Sequence, residues 1–187
     1  NRRWCGGRLN TDLHQIALLA GLTFFAAILC EASINPLYEA LFQEKLWEYR
    51  VLPLHDRNVS VLALLVWTSY GVHLHFMNQS LDRWFAPGSQ RLFYKAGLIG
   101  MEAPLLWEVS GNGFFLLLLG EYYAYYLPSD VGHLTSLRVV PVYMVCVCLG
   151  LLCHEFLQRH VAKDSSLRAG FVSAGLFGAG LAFLGLG

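Results

Sequence analysis

Charge is scarce in this chain, and what there is cancels. Lysine plus arginine and aspartate plus glutamate each number 13, so the formal net charge is zero. Proteins that grip phosphate backbones need a basic surplus, so nothing here points to nucleic acid as a partner. Cysteine is also sparse, with five residues and no spacing that suggests a metal site or a disulfide framework. Cys30, Cys146, Cys148 and Cys153 fall within apolar runs, where thiols act mostly as small hydrophobes. Cys5 stands nearer the polar start and reads as an ordinary reduced thiol. The sequence has no phosphate-cradling glycine loop, no activated serine or cysteine motif, no internal repeat and no low-complexity linker. Most soluble-enzyme classes lose their support on these absences.

What is there is hydrophobic: 56% of residues against 14% charged. A helix needs about 20 apolar residues to cross a bilayer. Stretches of that order run over 14–30, 59–77, 96–119 (its start is either Ala96 or Ala103) and 139–157, and a fifth, 169–187, follows. In lipid every backbone N–H and C=O must be satisfied within the chain. The expected fold is therefore an all-α integral membrane protein, one domain over 1–187, with four to five transmembrane helices.

Basic residues orient that bundle. Arg2, Arg3, Arg8, Arg83, Arg91, Lys95, Arg159, Lys163 and Arg168 fall on one side if the spans alternate; Lys45, Arg50, Arg57 and Arg138 fall on the other. The positive-inside rule then places Asn1 in the cytoplasm, matrix or stroma. The chain opens at Asn1 rather than Met, as expected either after removal of a targeting segment or in a fragment.

Between the first two spans, Glu31 to Pro36 forms a polar break, and Leu37 to Tyr49 carries Leu37, Leu41 and Leu46 on one face with glutamates elsewhere. This predicts one interfacial amphipathic helix with Trp47 and Tyr49 at headgroup level, or else a continuation of the first helix out of the bilayer. Pro53 would end it, and Asp56-Arg57-Asn58 would start the second span. Tyr122, Tyr123, Tyr125 and Tyr126 predict an aromatic belt at the end of span three, before the turn at Pro128-Ser129-Asp130.

Ionisable residues inside a membrane are costly and point to function by default. Glu31, Glu102, Glu108 and His75 are the candidates for a pore or polar interior. Glu102 and Glu108 lie six apart, about 120° from sharing a helix face. His73 and His75 point to largely different faces, so one metal chelated by that pair is not expected. A bis-histidine haem between His75 and His154 is conceivable, against ordinary interhelical hydrogen bonding. The run His154 to His160 lacks the one-turn histidine spacing of a zinc helix. No catalytic residue, metal or cofactor is assigned. In the last stretch, Gly170, Ala174, Gly178 and Ala182 recur every four residues and form a smooth ridge. Such ridges let membrane helices approach closely, either within the chain or with another subunit.

The region from span two into span three carries Gly71, His75, Leu81-Asp82-Arg83, Pro87-Gly88 and Ala103-Pro104, with Phe114-Phe115 beyond. Cys30-Glu31, Gln43 and Asp56-Arg57 stand upstream, and Val139-Val140-Pro141 downstream. This pattern resembles the small peroxisomal membrane proteins and their mitochondrial Mpv-type relatives, mainly over 56–104. The chain departs from that family at Val72, where the family has Pro, and at Met77-Asn78, where it has Trp-Tyr. It also lacks the family's late Trp-Pro and Asn-Phe signature. The resemblance implies a four-helix organelle membrane protein without cofactor, of the mitochondrial inner membrane or peroxisome, whose members are thought to form weakly selective channels. By the residues themselves, Asp82 and Arg83 are a candidate interface anchor, and Pro104 would bend span three and free the carbonyl of Gly100.

Two functions follow as expectations. One is a non-catalytic accessory subunit of a larger energy-transducing organelle complex, most simply in the mitochondrial inner membrane, bound through the C-terminal ridge to other membrane subunits and to lipid. The other is a channel for ions or small solutes in the mitochondrial inner or peroxisomal membrane, in which the carboxylates and His75 converge on one wet cavity. A plastid membrane is a further possible setting.

Overall fold

The computed structural model describes residues 11–86, 88–160 and 166–185. Cys5, Arg2, Arg3, Arg8, Pro87 and Lys163 lie outside them. The described chain is mostly helical. Among the described residues, three helices are long and apolar enough to cross a membrane: α1 (Leu13–Phe42), α5 (Val140–His160, preceded by a 3-10 turn at Leu137–Val139) and α6 (Ser166–Leu184). Between them lie α2 (Ala63–Trp84), α3 (Ser89–Glu102) and α4 (Val109–Leu119).

α1 starts where the Asp12 carboxylate accepts the His14 N–H at 2.9 Å and caps the first turn. Its 30 residues span about 45 Å at 1.5 Å per residue, more than the roughly 30 Å hydrocarbon core. The polar break expected at Glu31–Pro36 is helix interior. Pro36 removes only one hydrogen-bond donor, late in the helix, so α1 continues to Phe42 and stops at Gln43, which takes the left-handed conformation (φ 61°). The interfacial amphipathic helix over 37–49 is therefore corrected: Leu37 to Phe42 extends α1, and Trp47–Tyr49 is a strand, β1.

β1 pairs antiparallel with β4 (Ala124–Tyr126), setting Trp47 opposite Tyr126 and Tyr49 opposite Ala124. β2 (Pro53–Leu54) and β3 (Val59–Ser60) form a hairpin. Pro53 thus opens a strand rather than ending a helix. Asp56-Arg57-Asn58 is the hairpin turn rather than a helix start, and α2 begins only at Ala63. His55, Asp56 and Arg57 all have positive φ, a conformation non-glycine residues adopt at some cost. Lys45 Nζ offsets that cost by donating to the Asp56 carbonyl at 2.9 Å and to its carboxylate at 2.7 Å. Together these segments form a cap over one end of the helices. Tyr123 and Tyr126 are buried in it with Leu46, Trp47 and Tyr49, so the expected headgroup belt is in part the cap's own core.

Two buried asparagines rivet the cap to the helices. Asn35 on α1 accepts from Leu46 N–H at 2.8 Å and donates to the Trp47 carbonyl at 2.8 Å and to Asn58 Oδ1 at 2.6 Å. Asn112 on α4 donates to the Leu134 carbonyl at 2.6 Å and accepts from Ala124 N–H at 2.8 Å. Buried amides are tolerated because they are so fully paired.

α1 packs closely on α2 and α6, and α3 on α5; fewer contacts join those two groups. Glycines mark the tight crossings. A Cβ at Gly71 would stand 2.6 Å from Ala20 Cα, and one at Gly100 would stand 2.7 Å from the Met144 backbone nitrogen. Small residues permit this approach where no hydrophobic drive operates between helices. Pro104 sits in a π-helical turn, Ala103–Glu108, that joins α3 to α4, so the distortion expected at this proline takes the form of a widened turn. Large apolar side chains point outward on the helices, among them Leu65, Phe93, Leu117, Val145 and Phe171, an arrangement suited to lipid.

Candidate functional site

Three of the four polar-interior candidates sit in one aromatic interior. Glu31, 7% exposed, accepts at Oε1 from the Tyr49 hydroxyl and from Trp67 Nε1. Glu102 accepts at Oε2 from the Tyr70 hydroxyl at 3.0 Å and at Oε1 from Trp107 Nε1 at 2.7 Å, with His73 Nε2 3.0 Å away. Glu108, in the π-helical turn, accepts from the Thr135 and Tyr143 hydroxyls. Trp67 and Tyr70, one turn apart on α2, tie these ligand sets together. Their rings meet edge to face at 5.8 Å, Trp67 meets Tyr143 at 6.2 Å and Tyr70 meets Trp107 at 5.3 Å, all within the favourable range for aromatic pairs.

Burial, and then the neighbouring carboxylate, push the cap tyrosines well above the usual tyrosine range: Glu31 acts on Tyr49 and Glu108 on Tyr126. Both hydroxyls therefore stay protonated and serve as donors.

Two cavities flank this interior. One, of about 110 Å³, lies between α1, α2 and α5 and includes Glu31 in its wall. The other, of about 250 Å³, lies between α2, the π-helical turn and α4 and includes Glu108. Trp67, Tyr70 and Tyr126 belong to the walls of both.

His75 is placed elsewhere. It lies two residues past His73, hydrogen-bonds Gln79 at 2.7 Å, and is close enough to His154 to interact electrostatically. Among the described residues no group of three or more His, Cys, Asp or Glu side chains is arranged to hold a metal. Asp82 pairs with Lys95 at 2.8 Å and Arg91 at 3.3 Å across the α2–α3 turn, rather than with Arg83. The anchor is thus an interhelical one, with Arg83 as its neighbour.

The small-residue ridge divides. Gly170 faces His14 of α1, where a Cβ would come within 2.8 Å. Ala174, Gly178 and Ala182 are exposed, and nothing lies within 4 Å of a Cβ placed at Gly178. α6 meets α1 through a different stripe, Ala169, Ser173, Phe177, Gly180 and Leu184, with Ser173 donating to the Ala17 carbonyl at 2.7 Å.

Sequence reasoning missed the donors. The signal was the three-residue recurrence of Trp67, Tyr70 and His73, which stacks polar-tipped rings along α2. It also missed the Cys30–Cys146 pair, whose sulfurs lie 3.4 Å apart between α1 and α5; nothing in the spacing reveals that contact. Comparison with protein-family models, with curated proteins and with solved structures gave no match, so the functional reading rests on this geometry.

Proposed function

We propose that the chain is a non-catalytic structural subunit of a larger membrane assembly, docked through the outer face of α6. The observation that carries this reading is the uncovered ridge of Ala174, Gly178 and Ala182 beside an α1–α6 contact made by a separate stripe. Lipid chains pack against a smooth ridge no better than against leucines, whereas a second helix gains close van der Waals contact there. The proposal includes five crossings. α2 and the α3–α4 run lead to and from the cap and carry outward Leu64, Leu65, Phe114 and Leu117. It places the cap on the side opposite Asn1 by the charge rule, keeps the Mpv-type scaffold as the family reading, and takes the mitochondrial inner membrane as the setting. A photoreactive cross-linker attached at Gly178→Cys in native membranes should yield a discrete adduct with another membrane chain, and the same group at Leu117→Cys, outward on α4, should yield far less. Equal, diffuse labelling from both positions would refute the docking face.

The buried carboxylates favour a second reading, a weakly selective channel of the mitochondrial inner or peroxisomal membrane. In it the two cavities connect when the Trp67–Tyr70–Tyr126 wall moves. Each carboxylate's donors come from side chains of the wall and cap, an arrangement that supports rigidity more than conduction. Ion flux in vesicles that falls on Glu102→Gln and Glu108→Gln replacement would favour the channel over the subunit.

A further inference from the structure

The smaller cavity has the features of a built site. One stripe of α1 lines it, recurring every three to four residues through Leu19, Thr23, Ala27, Cys30 and Ile34, so it runs along the helix for about 22 Å. Its rim at Ala26 and Gly150, beyond the Cys30–Cys146 contact, is only half-buried, which opens the space sideways between α1 and α5, toward lipid. The wall is almost wholly apolar along this length and becomes aromatic at the cap end, where Trp47, Trp67, Tyr126 and Tyr143 gather.

At that end Glu31 breaks the pattern. Both donors that reach it, Tyr49 and Trp67, go to Oε1. Oε2 is buried and has no hydrogen-bond partner among the described residues. A buried carboxylate oxygen without a donor is costly, and a cavity with apolar walls does not hold the water that would satisfy it. Other polar groups of the wall are engaged: the Thr23 hydroxyl donates to the Leu19 carbonyl, and the Tyr143 hydroxyl to Glu108. The site therefore offers one acceptor at the end of an apolar groove.

We propose that this cavity binds a membrane-soluble alcohol, a molecule with a long apolar body and a single hydroxyl that donates to Glu31 Oε2. An ammonium would bring two or three donors to a place that offers one acceptor, and a polyol would strand its other hydroxyls against leucine and valine. The molecule enters from the bilayer between α1 and α5 and lies along α1. This inference stands apart from the docking face on α6.

The test uses the full chain in phospholipid vesicles and a dodecanol carrying a mid-chain diazirine. Photolabel should concentrate on the 19–34 and 139–151 segments. Unlabelled 1-dodecanol should displace it about tenfold better than dodecane, the discrimination expected of one hydrogen bond to a buried polar atom that otherwise has none. Glu31→Leu should erase that discrimination. Gly150→Leu should abolish labelling, because a Cβ at Gly150 meets nothing within 4 Å and the larger side chain fills the groove. Label spread over outward residues such as Phe114 and Leu117, equal displacement by dodecane, or full labelling of Gly150→Leu would each overturn the proposal. Should Glu31→Leu not fold, the wild-type displacement ratio and Gly150→Leu decide it.

Discussion

Replacing Asn35 with leucine tests whether the cap is held to the helices by hydrogen bonds or merely rests on them. The side chains are nearly equal in volume, so little cavity is created. What is lost is the acceptor for Leu46 N–H and the donor to the Trp47 carbonyl and to Asn58 Oδ1. Each of these groups is inside the cap, and an unpaired buried polar group costs about 1–3 kcal/mol. The three together set an expectation of about 3 kcal/mol or more, since some relaxation is unavoidable. For a chain of this size that lowers the thermal midpoint by roughly 6–12 °C. The assay is thermal unfolding of the purified protein in mild detergent, followed by Trp fluorescence, because Trp47 lies beside the lost bonds. Ser33→Ala, on an exposed position of the same helix, is the control and should shift the midpoint by no more than a degree or two. An Asn35→Leu midpoint equal to that of the control would refute the reasoning and leave the strand pairing alone to hold the cap.

Three further outcomes are expected. Gly100→Val forces a Cβ against the Met144 backbone and should destabilise the fold by at least the 1–3 kcal/mol typical of overpacking, whereas Gly178→Val should leave the midpoint unchanged; equal effects would contradict the assigned packing faces. Mild oxidation should join Cys30 to Cys146, 3.4 Å apart, and peptide mapping should recover that one cross-link; pairing through Cys148 or Cys153 instead would contradict the α1–α5 register. Lys45 holds the Asp56 carboxyl below its usual value, so this pair stabilises the cap fully above the unfolded value near pH 4 and loses its effect as pH falls through the lower folded value. The midpoint difference between wild type and Lys45→Met should therefore be larger at pH 7 than at pH 2, where only the bond to the Asp56 carbonyl remains; a difference of equal size at both would show that the carboxylate contributes nothing.

The parts of this structure that sequence makes legible are those set by local pattern. Long apolar runs announce α1, α5 and α6, because in lipid no other backbone solution competes with the helix. Glu31, Glu102 and Glu108 stand out for the same reason: a charge within such a run is costly enough to demand partners. The partners themselves are hidden. Trp67 and Tyr70 look like ordinary membrane aromatics until α1 and α3 are brought against them. The cap is hidden more deeply. Trp47 pairs with Tyr126, a contact far apart in sequence, and each segment alone matches an interfacial helix or a headgroup belt. Asn35 falls in the expected polar break and Asn112 inside the expected third span, yet each lies within a helix and joins it to the cap.

The most direct test of the central reading is the native mass of the protein extracted from its own membrane in mild detergent, compared with an Ala174→Leu, Gly178→Leu double variant. The account predicts that the wild type comigrates with a large membrane assembly and that the variant, folded to the same midpoint, runs free. A wild-type particle that is small and carries no other chain would contradict it.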